Sequence, residues 1–567
     1  MQRIVSMFMA VALVFGMGLS PSGAAETKPI AALTVASYND LVGDVNFVGT
    51  LVDRPQLGAA MDGLLAMVTQ GKGLDGVDKT RPWGVIIQAS GENISGYAFL
   101  PVTDFKKALG LLGLYSTVDA QGDVYKLTPK DGQKANYVKQ QGTWAFFAQT
   151  PEVLAQSAGN PLALLGNLKK DYVVGGRIFL ANVPEGLRAK FLSQVKQGLK
   201  KEAAQHGGES NEEYANRKKI LDQLGSYVIR VFSDLDQVVF GWGLDRSAEK
   251  TFVDVSVTAK SGTKTAEEMG LAAQARTNFA GFCVPGAAVT YAVAGSMPAA
   301  RQEIAATVIE AVRGKGLSEI EKKAPGNKPL AKGLLNDGAD LLQKIVKSGR
   351  ADCAATVLAG PKAATGMLAA FVADGALLDK MLHTIVKAIV EDHPEVEQFV
   401  KLDAEKSNSI NFHTVSIPIP EGSDDAQKAI QLIGEKLDIV IGVGKENAYL
   451  AVGRDAMTTL QKAIEASSRL GSKAVSPLEL SLAVEPVAAV AAAIGKPQER
   501  PKAAMIEAEL KKTPGKDHVV LAVRPISNGV QVHLEVEQGL LRLFGRVAVM
   551  GMEHKVEAGS ATPAVEK

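Results

Sequence analysis

Two copies of a Gly-Lys-Gly-Leu segment, Gly71–Leu74 and Gly314–Leu317, have the composition of a phosphate-binding loop. Such a loop needs Gly-x-x-x-x-Gly-Lys-Ser/Thr between a strand and a helix, so that backbone amides and the helix N-terminus converge on the anion. Here each copy follows the last apolar turn of a predicted helix, and leucine follows the lysine. We therefore interpret both segments as helix C-terminal caps, and the similar Ile441–Glu446 as a turn between two strands.

Three short segments match, in order, the motifs of serine penicillin-binding enzymes and β-lactamases: Ser193–Lys196, Tyr214–Asn216 and Lys260–Thr263. Members of that family place the serine at the start of a buried helix. Ser193 falls instead in the middle of a charged helical segment, and the short spacings leave no room for the helical subdomain that normally intervenes. The pattern does not predict an acyl-enzyme.

The histidines show no spacing that is typical of a metal site. His383 and His393 are ten residues apart rather than three or four, and the sequence contains no His-Glu-x-x-His. It also contains no Gly-x-Ser-x-Gly, and its carboxylates are scattered over charged helix faces, such as Glu319 and Glu321. The sequence therefore selects no catalytic, cofactor-binding or metal-ligating residue and predicts no cofactor.

The composition is that of a folded protein with a balanced charge. Of 567 residues, 46% are apolar and 22% are charged, which leaves room for about two to four domains with full cores. Sixty-two basic residues face 61 acidic ones, a net charge of +1, and the two signs are interleaved along the chain. Because no basic patch with aromatic residues stands out, we do not expect nucleic-acid binding.

The N-terminal residues have the pattern of a secretory signal peptide. Arg3 precedes an apolar run from Ile4 to Leu19, and small residues lead to Ala25, where we expect cleavage. An uncleaved membrane anchor is the alternative, although the run is short for a span, and no later stretch reaches the roughly 18 apolar residues of a membrane helix. We therefore expect a periplasmic or extracellular protein. Export permits a disulfide between Cys283 and Cys353, while two separate thiols are the more ordinary outcome.

A short strand, a polar turn and a helix follow one another twice, at residues 142–157 and 446–461. The turns are Gln149–Pro151 and Gly453–Asp455, where Thr150 or Asp455 is placed to cap the helix that follows. The flanking segments also match in order: a strand with an amphipathic helix, a strand hairpin with a helix, further strands, and a closing hairpin with a helix. This order predicts two tandem copies of one unit.

Strand pairs joined by tight turns and followed by helices favour antiparallel sheets, since a parallel sheet requires helical crossovers between strands. We predict an α+β fold in which each copy has a mostly antiparallel sheet with helices packed on one face. The expected organisation is a signal peptide at 1–25, a first repeat at 26–262, a join at 263–282, a second repeat at 283–552 and a disordered tail at 553–567.

The signal peptide, the duplicated α+β units and the segment Asp78–Gly84 (Asp-Lys-Thr-Arg-Pro-Trp-Gly) resemble uncharacterised exported bacterial proteins that are known only as domains of unknown function. The resemblance covers most of the mature chain. It implies export and a bacterial envelope setting. No catalytic or binding residue transfers from it.

The sequence favours a non-enzymatic envelope protein that binds a partner or a ligand through its duplicated scaffold. A first alternative is a carrier of an apolar, lipid-like ligand, because Ala-rich helices such as Val487–Ile494 over a Val- and Leu-rich sheet can enclose an apolar cleft. A second alternative is an unrecognised hydrolase. For Leu540–Met550 we expect a closing helix on its own sheet, with contact to a membrane surface as the lesser alternative.

Overall fold

The computed structural model describes residues 26–157, 159–323, 328–420 and 422–547. The expected signal peptide at 1–25 and the expected tail at 553–567 lie outside these residues. The chain forms two compact units. Of the described residues, the first unit contains 26–191, 235–258 and 535–547, and the second contains 192–234 and 259–534.

The first unit is built on a broad sheet whose strands are rich in Val, Ile, Phe and Tyr, the residues that suit a pleated surface. Its strand order is β4-β5-β6-β7-β3-β2-β1-β8-β9-β10, antiparallel from β4 through β9. The strands are β1 (Thr27–Val35), β2 (Trp83–Ser90), β3 (Asn93–Pro101), β4 (Ser116–Gln121), β5 (Val124–Pro129), β6 (Asn136–Gln141), β7 (Trp144–Ala148), β8 (Val174–Phe179), β9 (Leu235–Asp245) and β10 (Lys250–Ala259).

The helices of this part of the chain are short, apart from two that follow β1. They are α1 (Tyr38–Leu51), α2 (Leu57–Val68), α3 (Phe105–Leu112), α4 (Pro151–Ala155), α5 (Leu162–Leu165) and α6 (Leu168–Asp171). Residues 538–547 are also helical, with Leu540 and Leu543 buried and Phe544 and Val547 exposed. The last residues of the predicted closing helix, 548–550, lie outside the described residues.

Around β7 both faces of the first sheet are covered by helices, so the prediction of helices on one face only does not hold in this part of the sheet. Phe146 lies on one face, in a core with Leu154 of α4 and Leu168 of α6. Its neighbour Ala145 lies on the other face, in a core with Phe105 and Leu109 of α3. Because β5–β7 carry apolar side chains at successive positions, each face of this part of the sheet needs its own cover.

The second unit contains a sheet of order β15-β16-β17-β18-β14-β13-β12-β20-β21-β22, antiparallel from β15 through β21. A two-stranded ribbon, β11 with β19, stands beside it. The strands are β11 (Arg276–Thr277), β12 (Val289–Ser296), β13 (Arg350–Gly360), β14 (Ala363–Phe371), β15 (Val400–Ser407), β16 (Ile410–Pro418), β17 (Lys436–Val443), β18 (Asn447–Gly453), β19 (Lys473–Ala474), β20 (Leu478–Ala483), β21 (His518–Ile526) and β22 (Gly529–Glu537).

Long helices accompany this sheet, and the chain passes from the first unit to the second within α7 (Glu185–Glu202). The others are α8 (Asn211–Asp234), α9 (Lys264–Gly270), α10 (Ala299–Lys323), α11 (Lys328–Ser348), α12 (Gly375–Asp392), α13 (Asp424–Ile433), α14 (Ala456–Leu470), α15 (Val484–Ile494) and α16 (Arg500–Leu510). In the largest core, Leu460 and Ile464 of α14 pack with Phe279, Phe282 and Tyr449. The prediction of an α+β fold with a largely antiparallel sheet is confirmed.

One Gly-Lys-Gly-Leu segment caps a helix and the other does not. Gly71 and Gly73 follow α2 with φ of 84° and 58°, as expected for a helix end. Gly316 lies inside α10, where a Cβ atom would stand 2.8 Å from a methyl carbon of Leu335 in α11. The second glycine therefore permits close packing of two helices, and the prediction that α10 ends at Gly314–Leu317 is wrong.

Candidate functional site

A cluster of two histidines, two aspartates and an asparagine lies where α12 packs over the β15–β16 hairpin of the second unit. Helix α12 begins after Asp374, whose carboxylate accepts a hydrogen bond from the backbone N–H of Leu377 at 3.0 Å. Asp379 and His383 stand one turn apart on this helix, so they share a face. Asp403 comes from β15, and Asn411 and His413 come from β16.

The hairpin has an irregular register at the point where it meets the helix. The pairing of β15 with β16 shifts between Lys401 and Glu405, and Asp403 inside this bulge has φ of 51°. A left-handed residue in a bulge re-aims its side chain and bends the strand. Asn408 and Ser409 close the hairpin with φ of 50° and 61°, the backbone that a type I′ turn requires.

His413 is buried and has a defined tautomer. Its Nδ1 accepts a hydrogen bond from the backbone N–H of Asp403 at 3.2 Å, so the ring proton lies on Nε2. From there it is donated to Oδ1 of Asp379 at 2.9 Å. His413 therefore bridges the strand bulge and the helix as a neutral ring.

His383 presents the opposite arrangement. Its Nδ1 lies 2.9 Å from the carbonyl oxygen of Asp379, which can only accept, so Nδ1 carries a proton. Its Nε2 lies 3.1 Å from Oδ2 of Asp403. The other oxygen of Asp403, Oδ1, accepts a hydrogen bond from the side-chain amide of Asn411.

These contacts shift the pKa values of His383 and Asp403. The hydrogen bond to the Asp379 carbonyl, followed by the bond and the charge of Asp403, raises the pKa of His383 above its usual value. The amide of Asn411 and then the ring of His383 lower the pKa of Asp403. The position between Nε2 of His383 and Oδ2 of Asp403 therefore suits a positive charge, either a proton or a bound cation.

Within the described residues, Asp379, His383 and Asp403 form a group that offers metal ligands, with one atom from each lying within 4.8 Å of the others. The spacing between histidines gives no sign of this group, because two of its three members are aspartates. The available local signal was Asp379-x-x-x-His383, which places two potential ligands on one helix face. Asp403 and His413 could not be added, because a hairpin brings them in from 20 and 34 residues away.

The serine and lysine motifs are not arranged for acyl transfer. Ser193 is exposed in the interior of α7, and Lys260 follows β10, where its ammonium donates to the carbonyl of Ser233 at 2.9 Å. The turn predicted at Ile441–Glu446 is confirmed: β17 ends at Val443, and Gly444 donates to the carbonyl of Asn447 at 2.8 Å. Neither segment forms a catalytic or phosphate-binding arrangement.

Cys283 and Cys353 are free thiols, so the alternative of a disulfide between them is not realised in this structure. Cys283 is exposed after the short helical turn 280–282, and Cys353 is half-buried in β13. Partial burial, with a smaller effect from the charge of Asp352, raises the pKa of the Cys353 thiol.

A shallow cleft of about 400 Å³ lies at the turn end of β16–β18. Asn408, Lys445, Glu446 and Asn447 give it a polar lining, and Ile464 is among its apolar residues. A site for a small apolar ligand is usually lined mainly by apolar and aromatic side chains. This cleft therefore does not favour the lipid-carrier alternative.

Comparisons of the chain with protein-family models, with curated proteins and with solved structures found no match.

Proposed function

We propose that the chain is an exported, non-enzymatic binding protein of a bacterial envelope, and that it binds its partner through an open apolar sheet face in each unit. The observation that carries this proposal is a set of strand residues that are all 36% to 45% exposed although they are large and apolar. They are Val174, Ile178, Trp242, Val253 and Val255 in the first unit, and Val357, Leu368, Leu480 and Leu482 in the second. The export part of the proposal rests on the signal pattern at residues 1–25.

The exposed residues of each unit share one face of their sheet. In β9, Trp242 stands between Gly241 and Gly243, which contact Tyr172 and Phe252 on the helix-covered side. Trp242 therefore points away from that core, and its indole N–H donates to the hydroxyl of Thr251 at 2.7 Å. A contiguous patch of exposed apolar residues on a folded protein usually marks an interaction surface.

In the second unit, the exposed apolar residues of neighbouring strands also lie on one face of the sheet. Leu482 pairs with Val289, which pairs on its other side with Val357. Leu368 of β14 pairs with Ala355, two positions before Val357, so these side chains point to the same face. A surface of this kind suits a partner that covers it with apolar side chains or acyl chains.

We also propose that the two units are tandem copies, as the sequence order predicts. Their strand orders are the same when β1 is matched with β12, β4 with β15 and β8 with β20. Along hydrogen-bonded neighbours, one row reads Tyr125, Val138, Phe147, Ala98, Val85, Leu33, Gly176, Phe240. The matching row reads His413, Ile441, Leu450, Leu368, Ala355, Tyr291, Leu480, Leu521.

Two fixed points support this alignment of the rows. The hairpins β2–β3 and β13–β14 both close on two-residue turns, after the pairs Ser90–Asn93 and Gly360–Ala363, and each row crosses its hairpin at the same distance from the turn. Asp104 and Asp374 then cap the next helix at the same distance beyond the row. Register and capping therefore agree between the units.

Site-specific photo-cross-linking in the native host tests the binding role. A photoreactive amino acid at Ile178 or Leu482 should form an adduct with the partner. The control position is Leu342, which is 52% exposed on helix α11, and it should form none. Adducts that are absent at both face positions, or as strong at Leu342, would contradict the proposal.

Carriage of a lipid-like ligand is the second candidate, favoured by the same apolar face. Native mass spectrometry of the protein from its own envelope fraction separates the two. Extra mass that disappears on organic extraction indicates a carried lipid, whereas a bare mass together with protein adducts at Leu482 indicates a protein partner.

A further inference from the structure

We propose that Asp379, His383 and Asp403 bind a divalent transition-metal ion, a role that is separate from the apolar faces. One nitrogen and two carboxylate oxygens from these residues lie within 4.8 Å of one another. A shift of about an ångström in exposed side chains brings such atoms to the roughly 2.0–2.2 Å bonds of a Zn²⁺ site. The spacing of the histidines in the sequence predicts no metal site, so this proposal departs from that expectation.

The hydrogen bond at Nδ1 of His383 fixes the direction of the lone pair on Nε2. With the Nδ1 proton of His383 given to the Asp379 carbonyl, the neutral ring turns its Nε2 lone pair toward Oδ2 of Asp403 at 3.1 Å. A proton or a metal ion can lie between these two electron-rich atoms. A metal ion takes the place of the proton that would otherwise bridge them.

Each of the two carboxylates accepts a hydrogen bond from a neighbouring side chain. One oxygen of Asp379 is held by the Nε2–H of His413, and one oxygen of Asp403 is held by the amide of Asn411. Of the remaining oxygens, Oδ2 of Asp403 lies 3.1 Å from Nε2 of His383, and Oδ2 of Asp379 lies 3.6 Å from Nδ1 of the same ring. Hydrogen bonds that fix the outer atoms of ligating carboxylates and imidazoles are a general feature of metal sites, and His413 acts here as a positioning residue.

In the first unit, the matching positions hold apolar side chains instead of this polar cluster. By strand register His413 matches Tyr125, and by distance from the helix cap Asp379 matches Leu109. Leu109 and Tyr125 belong to one apolar cluster. A buried histidine and its aspartate are therefore an addition of the second unit rather than a requirement of the sheet-and-helix packing.

The types of ligand atom at this site limit which metal ions it can bind. Imidazole nitrogen favours zinc, nickel, copper and iron over calcium and magnesium, which prefer oxygen alone. The side chains of His383 and Asp403 are 38% and 56% exposed, so water can complete the coordination shell. Zn²⁺ is therefore the appropriate probe.

Isothermal titration of the EDTA-stripped, dialysed full chain with ZnCl₂ at neutral pH tests the proposal. We expect one Zn²⁺ per chain at this site. His383→Gln and Asp403→Asn should each weaken the affinity by at least about tenfold. His393→Gln is the matched control, because His393 is an exposed histidine beside Glu395 at 3.4 Å and should leave the affinity unchanged.

Absence of saturable binding in the wild type, or equal affinity in wild type and both site variants, would overturn the proposal. Binding of CaCl₂ with equal or greater affinity would also overturn it. Circular dichroism in EDTA checks that the variants fold. If one does not, visible absorption of the Co²⁺-loaded wild type decides the question, since a bound Co²⁺ with an imidazole ligand differs from the aquo ion.

Discussion

The imidazole of His413 donates from Nε2 to Oδ1 of Asp379 at 2.9 Å, and this hydrogen bond joins β16 to α12 beneath the solvent-facing part of the cluster. The ring is buried and also accepts the N–H of Asp403, a left-handed residue whose backbone position depends on that bond. Tyr125, which matches His413 by strand register, packs in an apolar cluster instead. The two positions that match by strand register therefore hold an apolar packing residue in the first unit and a hydrogen-bonded histidine in the second.

Replacing His413 tests this bridge. His413→Phe keeps the volume but removes the partner of the Asp403 N–H and of the Asp379 carboxylate, so we expect a loss of about 1–3 kcal/mol in the free energy of unfolding. His413→Gln, which can both accept and donate, should lose less. Urea denaturation gives the stabilities. Zinc titration of the same variants should show about 10- to 100-fold weaker affinity for His413→Phe and partial recovery for His413→Gln. Equal zinc affinity in all three proteins would leave His413 with a packing role only.

Acid should weaken the turn between α7 and α8 through Glu209. Arg217 donates to both oxygens of Glu209 at 2.8 and 2.7 Å, and the backbone N–H of His206 donates to one of them at 3.0 Å. These bonds, that of Arg217 first, lower the pKa of Glu209 to about 2. Because the folded pKa lies below the ordinary value of 4.5, the stabilisation is complete above about pH 4.5 and is lost as the pH falls through about 2.

The variant Glu209→Gln should therefore be less stable than the wild type at pH 7, and the difference should shrink steadily as the pH falls from about 4.5 through about 2. Urea denaturation midpoints at several pH values measure it. Glu212→Gln, an exposed position on α8, is the control and should show no such dependence. A constant difference between wild type and Glu209→Gln across the whole range would contradict the assignment.

Much of the sheet was accessible from the sequence, because alternation and turn residues act locally. Two apolar runs around Ser90–Asn93 indicate the hairpin of β2 and β3, and Asp374, a typical helix-capping residue, directly precedes the start of α12 at Gly375. What failed depends on distant contacts. Gly316 resembles a helix stop in isolation, and only the approach of Leu335 explains a glycine within a continuing helix.

The candidate site could not be assembled from the sequence for a related reason. Asp379 and His383 are one turn apart, but the groups that orient them lie on a hairpin whose bulge at Asp403 has no distinctive residue pattern. Nor does the sequence show which face of a strand stays open. Ile86 and Ile178 are both apolar strand residues, yet Ile86 is buried on one face of the sheet and Ile178 is exposed on the other.

The sidedness of the first sheet gives a stability prediction. Ile86 is 1% exposed in the core of the first unit, while Ile178 lies on the open face. Ile86→Ala should lower the free energy of unfolding by about 2–5 kcal/mol, because it removes buried methylenes and leaves a cavity. Ile178→Ala should change it by less than about 1 kcal/mol. Chemical denaturation of the two variants, matched in residue type and substitution, measures both. A large loss for Ile178→Ala would mean that its face is covered in solution.

The two free thiols should differ in reactivity. Burial raises the pKa of both thiols, so the difference rests on access: Cys283 is exposed, whereas Cys353 is half-buried in β13. Because the reagent must reach the sulfur, we expect a fast and a slow phase when the native protein is treated with a disulfide reagent such as Ellman's reagent. Cys283→Ser should remove the fast phase, and Cys353→Ser should remove the slow one. The denatured wild type should release two equivalents of thiolate without prior reduction, in line with the free state of both cysteines. Release of none would show that Cys283 and Cys353 are oxidised in the isolated protein, and a fast phase that survives Cys283→Ser would show that exposure does not set the rate.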